Sequence, residues 1–253
     1  MKITQSHLGS FVLTILLAFC LLLIARESFA ETETEAVIQD GKVEVIYSAE
    51  TLASYRQRRP SHSIVFGVTV DNLFPEKFRS KIDGAAYKEL FGSSVVPLVQ
   101  ADLGMKYNFG LGGVYGGVIL GTGEVSDSPN GESTTLNLRK KGLTAGFYMD
   151  NMFEEPYVVP YISGQVFSFD WEESTKSLGS KTGATAYTSA IQVGVLLQLN
   201  WLDPEASLAA QNASNLNNTF VDLFASQYNT SNGSDDPNFQ TDFNFGVGLR
   251  LEY

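Results

Sequence analysis

The sequence predicts an all-β protein: an eight-stranded antiparallel transmembrane β-barrel of up-and-down topology with one short periplasmic helix. Three observations predict it. The last twelve residues, Asp242 to Tyr253, place Phe243, Phe245, Val247, Leu249, Leu251 and Tyr253 on one parity and Asp242, Asn244, Gly246, Gly248, Arg250 and Glu252 on the other. A strand turns such sets to opposite faces, so each face meets a different solvent. The same alternation recurs in segments of roughly ten residues, the length of a tilted strand crossing a bilayer. Long polar connections and tight turns then alternate between those segments, as they do when one end of a barrel faces outside.

Export is written in the first thirty residues. Lys2 supplies a positive start, Phe11 to Ile24 is an almost unbroken apolar run, and Ser28-Phe29-Ala30 offers small residues where a signal peptidase reads. Cleavage after Ala30 is expected, since that run falls short of the ~20 apolar residues of a spanning helix. Cys20 lies inside this segment, so the exported chain has no thiol, no disulfide and no thiolate chemistry. The full chain carries 17 basic and 28 acidic residues, and setting aside Lys2, Arg26 and Glu27 leaves 15 against 27. A chain so acidic offers little to neutralise a polyphosphate backbone, which argues against nucleic acid as a partner. Three parts follow: a signal peptide at 1–30, a periplasmic N-terminal segment at 31–63, and a barrel at 64–253.

Within residues 31–63, Ser48 is placed to cap a short helix from Ala49 to Arg58 that Pro60 would stop. Strand one is read at Ile64 to Asn72, with Val65, Gly67, Thr69 and Asp71 inward, followed by a long polar connection from Leu73 to Ser94. Strand two, Val95 to Phe109, sorts Gln100, Asp102, Gly104, Lys106 and Asn108 away from Val99, Ala101, Leu103, Met105, Tyr107 and Phe109. A helix would scatter those charges around its circumference. Strand three, Gly113 to Val125, carries glycines beside Tyr115 and Ile119, and no phosphate loop fits it, because the required spacing, the Lys-Ser/Thr pair and a following helix are all missing.

Asp127, Asn130 and Glu132 lie in a turn-rich connection whose spacing matches no calcium loop. Strand four, Thr134 to Met149, opposes Leu143, Ala145 and Phe147 to Lys140, Gly142, Thr144, Gly146 and Tyr148, and its basic start, Arg139 to Lys141, is expected above the membrane. Strand five, Tyr157 to Trp171, turns Val158, Ile162 and Val166 to lipid, and Glu172 to Gly183 reads as a polar loop. Strand six is Thr185 to Leu202. Asp203 and Pro204 then open a helix through Leu216, as cap and first helical residue. Strand seven is Asn218 to Tyr228, and strand eight closes the chain.

An eight-stranded barrel has an interior just wide enough for side chains to fill. Inward Asp102, Lys106, Lys140, Asp222, Asp242, Arg250 and Glu252 carry both signs, which predicts a paired lumen network, since buried charges are costly unless paired. With Thr219 opposite Tyr253, Asp222 falls opposite Arg250. Tyr107, Phe109, Trp201 and Tyr253 at inner strand ends, with Phe243 and Phe245 near the outer end, fit aromatic girdles.

On its signal segment, its strand pattern and its ending Gly248-Leu249-Arg250-Leu251-Glu252-Tyr253, the chain resembles the small eight-stranded outer-membrane proteins of Gram-negative bacteria, the OmpA-, OmpX- and OmpW-like barrels. That resemblance implies an outer-membrane location among outer-membrane lipids. It also implies recognition of Gly248, Leu251 and Tyr253 by the outer-membrane assembly machinery, although Gly246 stands where a polar residue is usual. It is poor for function, because one scaffold hosts many activities.

The expected role is structural or surface-interacting, without catalysis, cofactor or metal. A narrow passage for small or hydrophobic solutes is the main alternative, and a lipid-modifying enzyme is a further one. The exported chain's sole histidine, His62, is flanked by Ser61 and Ser63. Adjacent strand residues point to opposite faces, so neither serine is expected to pair with it as nucleophile and base. The four N-x-S/T matches, at Asn212, Asn217, Asn229 and Asn232, read as polar loop composition.

Overall fold

The structure, a computed structural model, describes residues 37–39, 42–44, 54–127 and 133–253. The expected signal segment, the start of the expected helix at Ser48, and Asn130 and Glu132 lie outside the described residues. The elements in chain order are β1 (Val37–Gln39), β2 (Lys42–Glu44), α1 (Tyr55–Arg58), β3 (His62–Leu73), α2 (Tyr87–Phe91), β4 (Val96–Phe109), β5 (Gly112–Asp127) and β6 (Thr134–Tyr148). They continue with β7 (Val158–Thr175), β8 (Gly179–Ala184), β9 (Thr188–Gln198), α3 (Pro204–Ser214), β10 (Asn218–Tyr228) and β11 (Asn244–Glu252).

Eight strands close a ring. β3, β4, β5, β6, β7, β9, β10 and β11 each pair antiparallel with the next, and β11 returns to β3 with Arg250 opposite Gly67 and Val247 opposite Val70. Closure leaves no strand edge unpaired within the wall, the condition for crossing hydrocarbon. Along β4 the sequence alternation becomes geometry: Gln100, Asp102 and Lys106 are buried inside, whereas Leu103, Met105 and Tyr107 are exposed outside. Val114, Val118 and Leu120 on β5, Leu143 on β6, Ile162 and Val166 on β7, and Ile191 and Val193 on β9 continue the exposed apolar belt. No helix among the described residues is long and apolar enough to cross a membrane.

Tight turns and both ends of the ring share one end, here called inner; the long connections share the outer end. The inner connection from β9 to β10 carries α3 as expected, with Asp203 Oδ1 accepting from the Ala206 amide at 3.0 Å and Asn215 ending the helix at φ 56°. No residue of α3 is buried.

The outer end departs from expectation in two places. The connection read as polar loop, Glu172 to Gly183, is a continuation of β7 to Thr175 that turns back as β8, because Asp170 to Thr175 pairs with Gly179 to Ala184. The connection after β3, read as long and polar, folds over the mouth and buries Phe78, Tyr87 and Phe91. These rings join Leu73, Val96, Leu98, Val125, Leu136, Leu138, Phe167, Phe169, Tyr228 and Phe239 in one apolar cluster. Phe78 stacks on Phe239 at 5.5 Å, and Phe169 meets Phe239 edge-on at 5.3 Å. The outer part of the interior is therefore an aromatic core, which the inward charges read from the sequence did not indicate.

Candidate functional site

The interior is built in tiers from the inner end outward. At the inner mouth Lys106 Nζ donates to Asp150 Oδ2 at 2.7 Å and pairs with Glu252. The segment before β3 seals this tier. The Tyr55 hydroxyl lies 3.2 Å from both Asp150 and Glu252 carboxylates, Arg59 pairs with Asp150, and Arg59 Nη1 donates to the Phe109 carbonyl at 2.8 Å. The Asn108 side chain ties the strand to the Pro60 carbonyl at 2.9 Å. Glu252 also accepts from Asn218 at 3.2 Å.

Arg250 forms the middle tier. Its Nη1 meets Asp102 Oδ2 at 2.9 Å and its Nη2 meets Asp222 Oδ2 at 3.1 Å. Each carboxylate takes a second donor: Tyr115 to Asp102 at 2.5 Å and Tyr161 to Asp222 at 2.7 Å. The guanidinium carbon also lies 5.9 Å from the Tyr115 ring centroid and 5.8 Å from that of Tyr148, within cation–π range. Gly67 makes the arrangement possible, because a Cβ there would stand 2.5 Å from Asp102 Oδ1 and 3.3 Å from the Arg250 guanidinium carbon.

Lys140 forms the third tier. Its ammonium donates to Gln100 at 2.6 Å and Gln165 at 2.5 Å, and sits 4.2 Å above the Phe167 ring. Tyr228 and Ser226 donate to Asp71 Oδ2 at 2.9 and 2.6 Å. Above Tyr228 the aromatic core begins.

Six of the seven expected lumen residues, Asp102, Lys106, Lys140, Asp222, Arg250 and Glu252, are buried in these tiers. Asp242 is the exception: it is exposed, ahead of β11. Pairing with β10 stops at Ser226 opposite Asn244, so no ladder extends the strand parity to Asp242, and its carboxylate stays hydrated. The register also differs by two residues, with Phe220 opposite Arg250 and Leu251 opposite Thr219. Arg250 and Asp222 meet along a diagonal instead. Tyr55, Arg59, Asp71, Asp150 and the interior tyrosines complete the network and were not among the expected site residues. Asp71 was legible as inward from the parity of its strand; Asp150 lies beyond the end of β6, where no parity reaches it.

Gly248, Leu251 and Tyr253 lie on or just after β11. Leu251 is buried at 3% exposure despite its outward parity, and Tyr253 extends the ladder to Ile64 by backbone bonds of 2.8 and 2.9 Å.

Ser61, contrary to expectation, meets the His62 ring. Its hydroxyl lies 2.9 Å from His62 Nδ1, because Ser61 precedes the strand and strand parity does not bind it. The imidazole leans edge-on against Tyr107 at 5.1 Å. No group of three or more metal-ligating side chains occurs among the described residues.

The interior leaves a cavity of about 10 Å³ lined by Lys106, Asp150, Arg250, Glu252 and neighbouring apolar side chains, room for about one water molecule. A closed antiparallel ring with an apolar exterior and a packed interior defines the class: this is the architecture of the small eight-stranded outer-membrane β-barrels. No family model matches the chain, and no curated protein matches it. In structure it is similar to Neisserial surface protein A, at 10% identity over 77% of this chain and 98% of that one with a TM-score of 0.43. It is similar also to the outer membrane protein OprG of Pseudomonas aeruginosa, at 12% identity over 76% and 96% with a TM-score of 0.41. A third is Ail, the attachment invasion locus protein of Yersinia pestis, at 14% identity over 76% and 97% with a TM-score of 0.38. Likeness at this level transfers no activity.

Proposed function

We propose that this chain is a bacterial outer-membrane barrel with a sealed interior, serving a structural or surface-interaction role without catalysis. The carrying observation is the continuous filling of the lumen. Four cations, Arg59, Lys106, Lys140 and Arg250, interleave with five carboxylates, Asp71, Asp102, Asp150, Asp222 and Glu252, and the aromatic core closes the mouth above them. Desolvated charges in such a network are held by partners and are not free to shed them to a passing ion.

In this reading residues 1–30 are removed on export, residues 31–63 belong to the periplasmic side, where Tyr55 and Arg59 pack against the inner mouth, and the long connections face outside. Gly248, Leu251 and Tyr253 present the element that the assembly machinery reads. The Ser61–His62 contact favours a second reading, a lipid-modifying enzyme, but catalysis needs an oriented base and stabilisation of developing charge as well as a nucleophile. Proteoliposome swelling tests the sealed interior. Vesicles holding the protein are expected to swell no faster than empty ones in isotonic small sugars, and sugar-dependent swelling favours passage.

A further inference from the structure

On the outward face of the barrel strands, fixed charge is confined to one place. Among the described residues, Glu124 on β5, Arg139 and Lys141 on β6, and Asp170 and Glu172 on β7 are the only Asp, Glu, Lys or Arg side chains with outward parity. Register orders them into rows across the three strands. Val118, Leu143 and Val166 form the last apolar row; Leu120, Lys141 and Ser168 form the next; Thr122, Arg139 and Asp170 follow; Glu124, Asn137 and Glu172 stand outermost. A band that carries Lys141 and Arg139 against a single carboxylate, Asp170, thus lies between the hydrocarbon belt and an acidic rim. Lys141 pairs with Asp170 at 2.8 Å, but the two side chains are 57% and 43% exposed, and a pair so hydrated is weak enough for another anion to compete. Arg139 is exposed and forms no ion pair among the described residues.

Directly below, on the same three strands, the apolar wall is indented. Gly116, Ala145 and Gly164 stand opposite one another in a single row, with open space beyond the Cβ positions of both glycines. Val118, Leu143 and Val166 border the depression above; Val114, Phe147 and Ile162 border it below. Ala145 is four residues from Lys141, about 13 Å along the strand.

We propose that β5, β6 and β7 seat a phosphate-bearing lipid of the outer leaflet, with its phosphate between Arg139 and Lys141 and an acyl chain in the Gly116–Ala145–Gly164 depression. The proposal rests on the outer-membrane placement proposed above. Charge explains why the occupant is a lipid and not a dissolved anion. The chain carries a net charge of −11, and Glu124 and Glu172 guard the band from the aqueous side. A phosphate arrives only within the membrane plane, where acyl contact offsets that repulsion.

The test is lipid retention by the purified full chain, measured by native mass spectrometry with bisphosphorylated lipid A and with the same lipid stripped of phosphate. Wild type is expected to retain the phosphorylated form about tenfold better, the worth of one to two charge-assisted contacts. Arg139→Gln with Lys141→Gln is expected to erase that preference. Ala145→Phe, which fills the depression, is expected to lower retention of both forms alike, and millimolar inorganic phosphate is expected to displace neither. Equal retention of the two lipids by wild type, or an undiminished preference in the double variant, overturns the proposal. Unchanged retention in Ala145→Phe overturns the acyl seat, and displacement by inorganic phosphate overturns the lipid as occupant. Heat-modifiable electrophoretic mobility reports barrel folding, and Lys141→Gln alone, expected to halve the preference or more, stands in should the double variant not fold. Solute passage through the barrel would overturn the sealed interior while leaving the retention ratio untouched, so the two failures are distinguishable.

Discussion

Arg250 and Asp222 sit on neighbouring strands two residues out of register, yet Nη2 and Oδ2 meet at 3.1 Å. Phe220 occupies the position directly opposite Arg250, and the long guanidinium crosses a diagonal to reach both Asp222 and, on β4, Asp102 at 2.9 Å. One cation thus ties together strands that lie on either side of the ring's closing seam.

Removing that cation leaves two buried carboxylates facing each other's charge. Arg250→Ala is expected to cost about 3–5 kcal/mol, the usual penalty for breaking a buried ion pair from one side. Arg250→Met combined with Asp102→Asn and Asp222→Asn is expected to recover most of it. Urea titration followed by heat-modifiable mobility measures both.

Gly67 offers a steric test of the same tier. Gly67→Ala drives a methyl group against the Asp102 carboxylate and is expected to destabilise the barrel by about 1–3 kcal/mol, as overpacking does. Combining it with Asp102→Ser should relieve the clash, and a less than additive loss in the same titration is the sign of direct contact.

Arg59 ties the inner seal to the Asp150 carboxylate and to the Phe109 carbonyl. Arg59→Ala is expected to speed proteolytic cleavage between Ser54 and Ser61 while leaving the protected barrel fragment unchanged in size. An unaltered cleavage rate would show that Tyr55 and Asn108 hold the segment without it.

The outer lid carries a pH dependence through Tyr87, whose hydroxyl donates to the Ser94 carbonyl at 2.9 Å. Burial raises its pKa above the ordinary phenol value, and the Asp127 carboxylate adds to the rise. A raised folded-state pKa means that the stabilisation is whole below pH ~10 and declines as pH climbs toward the folded value. Proteolysis of residues 74–95 by an alkaline-active protease should therefore accelerate above pH ~10. The acceleration should be shallower in Tyr87→Phe, which has no proton to lose.

His62→Ala is expected to leave the lipid A and phospholipid profile of expressing cells unchanged. A profile that shifts with wild type and reverts with this variant would give the Ser61–His62 contact a catalytic meaning.

Much of the wall was legible because a two-residue period is a local property. β10 begins and ends at the residues the pattern indicated, Asn218 and Tyr228, and six inward charges followed from parity alone. Register is not local. Parity survives a two-residue slip, so Asp222 stayed inward while its partner opposite changed from Arg250 to Gly248. Asp242 failed where parity lost its ladder. The lid was hidden for another reason: between Leu73 and Val96 the aromatic residues follow no strand period, and only Tyr87 and Phe91, at helical spacing, hinted at a buried face. Tyr55, Arg59 and Asp150 lie outside the strands, so nothing in the alternation pointed to their joining Lys106 and Glu252.

The most direct test of the sealed interior is electrical. The purified chain, reconstituted into a planar bilayer under a steady voltage, is expected to leave the membrane silent, because paired charges fill the lower lumen and stacked rings fill the upper. Steady unitary currents of reproducible size would contradict that account.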